Sequence, residues 1–131
     1  ALIMANQEPI FLGTVEGWIT KFENTDSDTV KDIFTPGTEG GAIKLLLVRS
    51  TSSVAEIINI SMSTATEDVL LAAVTVPAGE LVNVMVDDVV FSAFRNDALV
   101  IEVPLGMKLR AGAAADITDG AVQIIANGGS Y

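Results

Sequence analysis

Short runs of Val, Ile, Leu and Thr alternate with turn residues along most of the chain. In the clearest run, Ile58, Ile60 and Met62 point to one side and the polar residues between them point to the other. This period of two marks a strand with one solvated face. Turn signals that contain Pro, Gly, Asn or Asp recur about every ten residues, a spacing typical of all-β sandwiches and barrels. The pattern predicts an all-β fold, an antiparallel β-sandwich with jelly-roll strand order, formed as a single domain by residues 1–131.

The runs between the turns define the predicted strands. Trp18, Thr20 and Phe22 are expected to share one face of a strand, opposite Ile19 and Lys21. The predicted strands are 10–15, 17–23, 30–34, 42–50, 54–63, 69–76, 80–91, 99–103 or 105–111 as one bent pair, and 121–127, with one helical turn at 92–97.

Two of these strands are apolar on both faces, so both of their faces need cover. The run 42–49 has leucines on both sides, and the run 80–91 has valines on both sides. The mean hydropathy is +0.50, which is high for a soluble all-β domain of this size. We expect an interface between copies of the chain to hide the surplus, because obligate interfaces resemble a domain core cut in half. A thick, Val-rich core is the alternative.

The residue types that are missing exclude much catalytic chemistry. The 131 residues include neither Cys nor His, which removes disulfides, thiolate zinc sites and the histidine base. We therefore expect no enzymatic activity, no cofactor and no metal. Asp and Glu total 17 against 7 Lys and Arg, a formal charge of -10. Nucleic acid and anionic membranes repel such a chain, so neither is an expected partner.

The sequence shows no feature of export or membrane insertion. No run reaches the roughly 18 uncharged apolar residues that cross a bilayer. The opening stretch Ala1–Met4 is short and lacks the basic flank of a secretory signal. Met4-Ala5-Asn6 resembles a natural start, so we expect residues 1–3 to be a foreign remnant. The protein is then expected to be made and kept in a cytoplasm.

One stretch begins like a calcium loop and then departs from that pattern. Residues 24–29 place acidic or amide side chains at alternate positions, including Asp26 and Asp28. Thr29 stands where the loop needs Gly, and Thr35 stands where it needs a bidentate Glu. These departures favour a solvated polar turn between two strands.

Three further features are weighed and assigned structural roles. Gly37–Lys44 resembles a phosphate-binding loop, but Lys44 lies in a predicted strand instead of opening a helix. Asp87 and Asp88 are neighbours in a predicted strand, so their carboxylates face opposite sides and cannot hold one metal or one proton together. Trp18 is expected in the core or in an interface rather than on a ligand platform.

The last two-thirds of the chain carry a more specific order of motifs. A Pro-Gly-x-x-Gly-Gly turn precedes the apolar strand 42–49, a Thr- and Ser-rich bend follows it, and the alternating strand 57–62 leads to the turn 76–79. The chain closes on 105–111 and 122–131. This order resembles small virion proteins of tailed bacteriophages and prophages. The matching residues are Ile43, Leu109, Ala111, Ala126, Gly128, Gly129 and Tyr131, whereas Ser130 departs from the acidic residue of the family pattern.

The resemblance implies a phage structural protein without catalytic residues. Within that class it implies a capsid decoration (cement) protein, similar to jelly-roll homotrimers at capsid three-fold positions, with the major capsid protein as partner. The expected location is the capsid surface of the virion, after synthesis in the cytoplasm of a bacterial host. The acidic charge fits an outer surface better than one that lines packaged DNA. A tail, neck or fibre component and a receptor- or carbohydrate-binding β-sandwich stay open as alternatives.

Overall fold

The computed structural model describes residues 14–26, 29–85 and 100–131. Their strands form two antiparallel sheets, which confirms the predicted all-β sandwich. Within these ranges there is no α-helix, and a 3-10 turn occurs at Asn24–Asp26. The strands are β1 (Thr14–Glu23), β2 (Val30–Phe34), β3 (Gly41–Ser50), β4 (Glu56–Ser63), β5 (Asp68–Val76), β6 (Leu81–Asn83), β7 (Ile101–Val103), β8 (Lys108–Ala113) and β9 (Ala121–Ser130).

The strand pairing joins distant parts of the chain. The first sheet has the order β1-β9-β3-β6, with β7 also paired to β3, and the second sheet has the order β2-β8-β4-β5. The register places Thr14 opposite Ser130 and Glu23 opposite Ala121. The first and last described strands therefore lie side by side, and β9 and β8 occupy interior positions in the two sheets.

Two predicted boundaries of the first sheet differ from the structure. β1 runs without a break through Gly17, which pairs with Asn127, so the predicted separation between 10–15 and 17–23 is wrong. Residues 10–13 lie outside the described ranges. β6 covers the first part of the predicted strand 80–91, and the part from residue 86 onwards, with the predicted helical turn after it, lies outside the described ranges.

The segments 99–103 and 105–111 contribute two separate strands rather than one bent pair. β7 belongs to the first sheet and β8 to the second. Between them, Met107 N donates to Pro104 O at 3.1 Å. Gly106 in this turn has a φ of 85°, a left-handed conformation that glycine adopts without steric penalty. The turn thus carries the chain from one sheet to the other.

A β-bulge explains why β3 is apolar on both faces. The register of β3 against β9 shifts between Ile43 and Leu45. Before the shift Ile43 is buried, and after it Leu46 and Val48 are buried. Leu45 and Leu47 are half-buried on the outer face. The core therefore covers one side of β3, and no strand of the described sheets covers the other.

The core lies between the inner faces of the two sheets. The predicted alternation in β4 is confirmed, because Ile58 and Ile60 are fully buried. Trp18 is partly buried and packs edge-on against Phe34, with ring centroids 4.8 Å apart, so it lies at the margin of the core. Full burial of a large apolar side chain contributes roughly 1.5–3 kcal/mol. The largest fully buried side chains are Phe22, Phe34, Ile33, Ile43, Leu46, Ile58, Ile60, Ile101, Leu109, Ile117 and Ile124.

Glycine permits a close approach between β9 and β3. A Cβ on Gly128 would collide with the carbonyl oxygen of Ala42 and would stand 2.9 Å from the Cα of Ile43. On the facing strand, a Cβ on Gly41 would stand 2.8 Å from the ring of Phe34. The small residues at these positions are therefore a packing requirement.

Tyr131 ties the end of β9 to its neighbours. Its N–H donates to Gly40 O at 3.0 Å, and its hydroxyl donates to Glu102 Oε1 at 2.6 Å. Burial and the Glu102 carboxylate raise the pKa of the Tyr131 phenol above its ordinary value. The closing residues of the motif thus have structural roles in the first sheet.

Candidate functional site

The calcium-like stretch is described only in part, and its first carboxylate is already engaged. Asp26 Oδ2 accepts a hydrogen bond from Glu23 N at 2.8 Å, and Oδ1 lies 3.1 Å from Lys31 Nζ. The Glu23 amide and then Lys31 hold the pKa of Asp26 below its ordinary value. Asp28 lies outside the described ranges. Asp26 therefore stabilises the turn between β1 and β2.

The stretch that resembles a phosphate loop forms a tight turn before β3. Gly40 N donates to Gly37 O at 3.1 Å, and the chain then enters β3 with Lys44 exposed at the bulge. The helix that a phosphate loop must open does not follow. Asp87 and Asp88 lie outside the described ranges. Among the residues that are described, no group of three or more acidic side chains is placed to hold a metal ion.

A polar cluster that the sequence analysis did not single out closes one end of the sandwich. Glu56, at the start of β4, is only 6% exposed. Its Oε2 accepts hydrogen bonds from Ser52 Oγ at 2.7 Å and from Thr118 N at 2.9 Å. Burial of a carboxylate is costly unless hydrogen bonds satisfy it. The sequence feature that could have located Glu56 is the period of two in β4, which places it on the same inward side as Ile58 and Ile60.

Asp119 makes a second link at the same end. Its carboxylate accepts hydrogen bonds from Ser53 N at 2.7 Å and from Ser53 Oγ at 2.6 Å, and these bonds hold the pKa of Asp119 below its ordinary value. Beside it, Gly120 has a φ of 62°, and a Cβ there would stand 2.7 Å from Thr51 O. The polar groups of this end bind one another across two loops, which indicates a structural role.

The outer side of the first sheet is apolar around Val15, Ile19, Leu47, Leu81 and Ile125, and we call it the apolar face. The register places Ile19, Ile125 and Leu47 in one row across β1, β9 and β3. Val15 is 74% exposed and Ile19 is 72% exposed. A groove of about 310 Å³ lies between Ile19, Leu81 and Ile125. Neighbouring exposed apolar side chains of this kind mark an interaction surface.

Among the described residues the outer side of the first sheet has no net negative charge, because Lys21 and Arg49 balance Glu23 and Glu102, whereas the chain as a whole has a charge of -10. The next row of the face contains Lys21, Gln123 and Arg49. Glu23 is the acidic residue on this side of β1, and it lies 3.5 Å from Lys21. Within the described ranges no carboxylate pairs with Arg49. A second copy of the chain therefore meets less repulsion at this face than at an acidic surface.

The outer face of the second sheet is mixed, with charged and polar side chains beside the exposed apolar side chains of Val30, Ile57 and Leu70. Asp32 lies 3.3 Å from Lys108 Nζ and 3.0 Å from Arg110 Nε, although the Arg110 Nε–H is not aligned for a hydrogen bond. Arg110 also lies 4.0 Å from Asp68. Partly exposed pairs contribute about 0–1 kcal/mol each, so they define the character of this face more than its stability.

β2, one edge strand of the second sheet, is held by β1. Thr20 Oγ1 donates to Asp32 O at 3.3 Å, and Lys31 Nζ donates to Lys21 O at 2.6 Å. Lys31 Nζ also lies 5.1 Å from the centre of the Phe22 ring, within the range of a cation–π contact. These contacts close one side of the sandwich.

β5, the other edge strand, has no such neighbour. It pairs with β4 on one side, and within the described ranges no hydrogen bond reaches its other side, which we call the open edge. After Asp68 the strand contains no charged residue and no Pro. Val69 is 58% exposed and Leu70 is 59% exposed. Long uncharged edge strands are templates for pairing with another chain.

Two grooves include side chains of β5, and each extends from β5 towards its neighbours in the second sheet. The apolar groove, of about 310 Å³, is lined mostly by methionine and branched aliphatic side chains: Met62, Thr64, Glu67, Val69, Leu71 and Met107. The second groove, of about 400 Å³, lies on the outer face of the second sheet, and we call it the polar groove for Asn59, Ser61 and Asp68, although Val30, Leu70, Gly112 and Ala113 also line it. The side chains of β5 thus contribute to a different groove on each face of the sheet.

In the part of the chain that the structure describes, no helix is long and apolar enough to cross a membrane. No protein-family model matches the sequence, and no curated protein matches it at a significant level.

Proposed function

We propose that the protein is a non-enzymatic structural protein of a tailed-phage virion, a capsid decoration protein that binds the head surface as a homotrimer and stabilises the shell. The observation that carries this proposal is the apolar face. An acidic sandwich with an exposed apolar sheet that lacks net negative charge is built to contact other protein subunits. The resemblance of the last two-thirds of the chain to phage virion proteins supports a virion as the assembly to which those subunits belong.

We further propose that the sandwich is a jelly roll. The antiparallel pairs are nested, since β1 pairs with β9, β2 with β8, β3 with β7 and β6, and β4 with β5. A long hairpin of four nested pairs that wraps into two sheets brings β9 beside β3 and β8 beside β4, and both pairings occur. Double-sheet jelly rolls are common in viral capsid and lectin domains.

The trimer is proposed to form through the apolar face. Strands of ten residues in β1, β3 and β9 give the face a length of about 33 Å, and four strands give it a width of about 15 Å. The face therefore offers roughly 500 Å² per copy, near the lower limit for a specific contact. In a closed three-fold ring each copy divides this face between its two neighbours, so the trimer buries roughly 1,500 Å² in all and leaves no unsatisfied surface of this type.

The proposed mechanism is passive. A trimer at a capsid three-fold position touches neighbouring capsomers, so it adds contacts across their boundaries and raises the force needed to rupture the shell. Free trimers carry a charge near three times -10, which keeps them apart in solution before they dock.

Light scattering on the purified protein tests the assembly. We expect a mass of three times 13.7 kDa. Ile19→Glu places a charge in the central row of the apolar face and is expected to yield a folded monomer. Ile57→Glu is the matched control, because Ile57 is 44% exposed on the second sheet and should leave the trimer intact.

Co-sedimentation with expanded phage heads tests the docking. The wild-type protein and Ile57→Glu are expected to bind. Ile19→Glu is expected to bind much more weakly, because a monomer does not match the three-fold symmetry of the binding position. A wild-type monomer at micromolar concentration would remove the argument from the apolar face. A trimer that does not bind expanded heads would move the function to the tail or fibre.

A further inference from the structure

We propose that the open edge of β5 accepts an extended strand from a partner protein, and that this strand carries apolar side chains on one face and at least one Lys or Arg on the other. This inference goes beyond the proposed function. It concerns a second surface, on the opposite sheet from the apolar face, and it holds whether the partner lies in a capsid, a tail or another assembly.

The backbone of β5 supplies the first part of the argument. β5 has nine residues and β4 on one side only. In an antiparallel ladder alternate residues direct their N–H and C=O groups to the same side, so about half of these residues present free groups at the open edge. Lysines, Pro and covering elements normally protect such edges, and β5 lacks Lys, Arg and Pro.

The two grooves that β5 helps to line supply side-chain recognition. Successive side chains of an added strand point to opposite faces of the sheet. One set would therefore lie beside Val69 and Leu71 of β5, which line the apolar groove, and the other set would lie beside Asp68 and Leu70 of β5, which line the polar groove. Strand addition of this kind takes its affinity from the backbone and its specificity from such alternating pockets. The methionines of the apolar groove adapt readily to different apolar side chains.

The negative charge at the start of β5 favours a basic side chain in the added strand. Glu67 and Asp68 lie together at the start of β5 and each lines one of the two grooves. The one cation near Asp68 in the described ranges is Arg110, at 4.0 Å, and Arg110 is shared with Asp32. A Lys or Arg in the added strand would meet the remaining negative charge of this end.

A second copy of this chain fits the open edge less well. A partner β5 contains no basic residue, so it would bring no cation to Glu67 and Asp68 beyond the Arg110 that already lies near Asp68. The other edge strand of the second sheet, β2, is already held by Lys31 and Thr20. The chemistry of the edge therefore favours a different protein with a basic, apolar strand.

Titration with two synthetic peptides tests the proposal. The first peptide is the blocked octapeptide Thr-Val-Lys-Val-Thr-Val-Lys-Val, and the second has Glu in place of both lysines. The measurement is the shift of backbone amide resonances in ¹⁵N-labelled protein. We expect the lysine peptide to shift resonances of β5 and not those of β2, and to bind at least about tenfold more tightly than the glutamate peptide.

A pair of variants separates edge recognition from folding. Val69→Glu places a carboxylate in the apolar groove beside Glu67 and should weaken binding of the lysine peptide by about tenfold or more. Val54→Glu is the matched control, because Val54 is 43% exposed in the loop at the opposite end of β4. The affinity of Val54→Glu for the lysine peptide should stay within about twofold of the wild-type value. Circular dichroism confirms that both variants are folded.

Several results would overturn the proposal. They are the absence of β5 shifts at about 1 mM lysine peptide, equal affinity for the two peptides, and shifts centred on β2. Protection of β5 amides that rises with protein concentration in the absence of peptide would assign the edge to a second copy, and so would also refute it. None of these outcomes depends on the trimer or on binding to phage heads.

Discussion

The two edge strands of the second sheet, β2 and β5, differ in how well they are protected against pairing with another chain. β2 has a lysine whose ammonium group bonds the neighbouring sheet, a bulge between Asp32 and Phe34, and only five residues. β5 has nine residues and no charge after Asp68. Charge, bulges and short length protect an edge against pairing with other chains. Protection of one edge and not the other indicates that β5 is reserved for contact.

The largest expected effect comes from the side chain that anchors the protected edge. Phe34→Ala removes a fully buried ring that packs against Trp18 and should destabilise the protein by about 3–5 kcal/mol. Val74→Ala in β5 removes two methyl groups and should cost about 2 kcal/mol. Urea unfolding measures both values. Equal losses would show that the two edges are anchored alike and would weaken the comparison.

Removal of the protecting lysine should make β2 resemble β5. Lys31→Met loses the bond to Lys21 O and the ion pair with Asp26, at a cost of about 1 kcal/mol. It should also raise the tendency of the protein to associate through β2. Lys44→Met is the control, since Lys44 is exposed and bonds to none of the described residues. Urea unfolding and light scattering at rising concentration check both effects. No difference between the two variants would contradict the role of Lys31.

Acid should loosen the protected edge before the open one. The pKa of Asp26 is lowered from 3.8, so its stabilising contribution is complete above that value and is lost as the pH falls through the folded pKa. Hydrogen exchange of β2 amides, corrected for intrinsic rates, should therefore accelerate below about pH 4. In Asp26→Asn the acceleration of hydrogen exchange of β2 amides at acidic pH should be absent. The same pH profile in wild type and variant would show that Asp26 does not hold the turn.

The smallest effect on stability should come from a lysine added to β5. Ala73 is exposed, and Ala73→Lys should change the free energy of unfolding by no more than about 0.5 kcal/mol. The same change should slow aggregation at high protein concentration, because it gives β5 the charge that β2 already has. Thioflavin fluorescence at matched concentrations follows the difference. Faster aggregation of the variant would refute the assignment of β5 as the exposed edge.

Local pattern located most of the strands, but it divided β1 before Gly17, treated 99–103 and 105–111 as one bent pair, and did not reveal what the strands do. The alternation in β4 and the Pro-Gly turns depend on neighbouring residues, so they are visible in the sequence. The bulge in β3 depends on the approach of Gly128, which is 85 residues away from Ile43, and such a contact leaves no local periodicity. The surplus of apolar residues in 42–49 was visible, but its division between core and outer face was not.

The candidate surfaces required the strand order. Nothing in the run Asp68–Val76 distinguishes an edge strand from a central one, because its apolar character fits both positions. The period of two places Glu56 on the inward side, but its hydrogen-bond partner Thr118 lies 62 positions later in the chain and was hidden. Both features follow from pairings between distant segments, which a single sequence does not display.

The interior positions of β8 and β9 also bear on how the protein is made. Each joins strands from earlier in the chain, β8 between β2 and β4 and β9 between β1 and β3. A nascent chain that has reached only Gly106 therefore lacks the strand that unites each sheet. The second sheet needs the chain through Ala113, where β8 ends, and the first sheet needs it through Ser130, where β9 ends. In each sheet the strand synthesised last is the one that joins strands made earlier, so pairing within a sheet waits for a distant part of the chain.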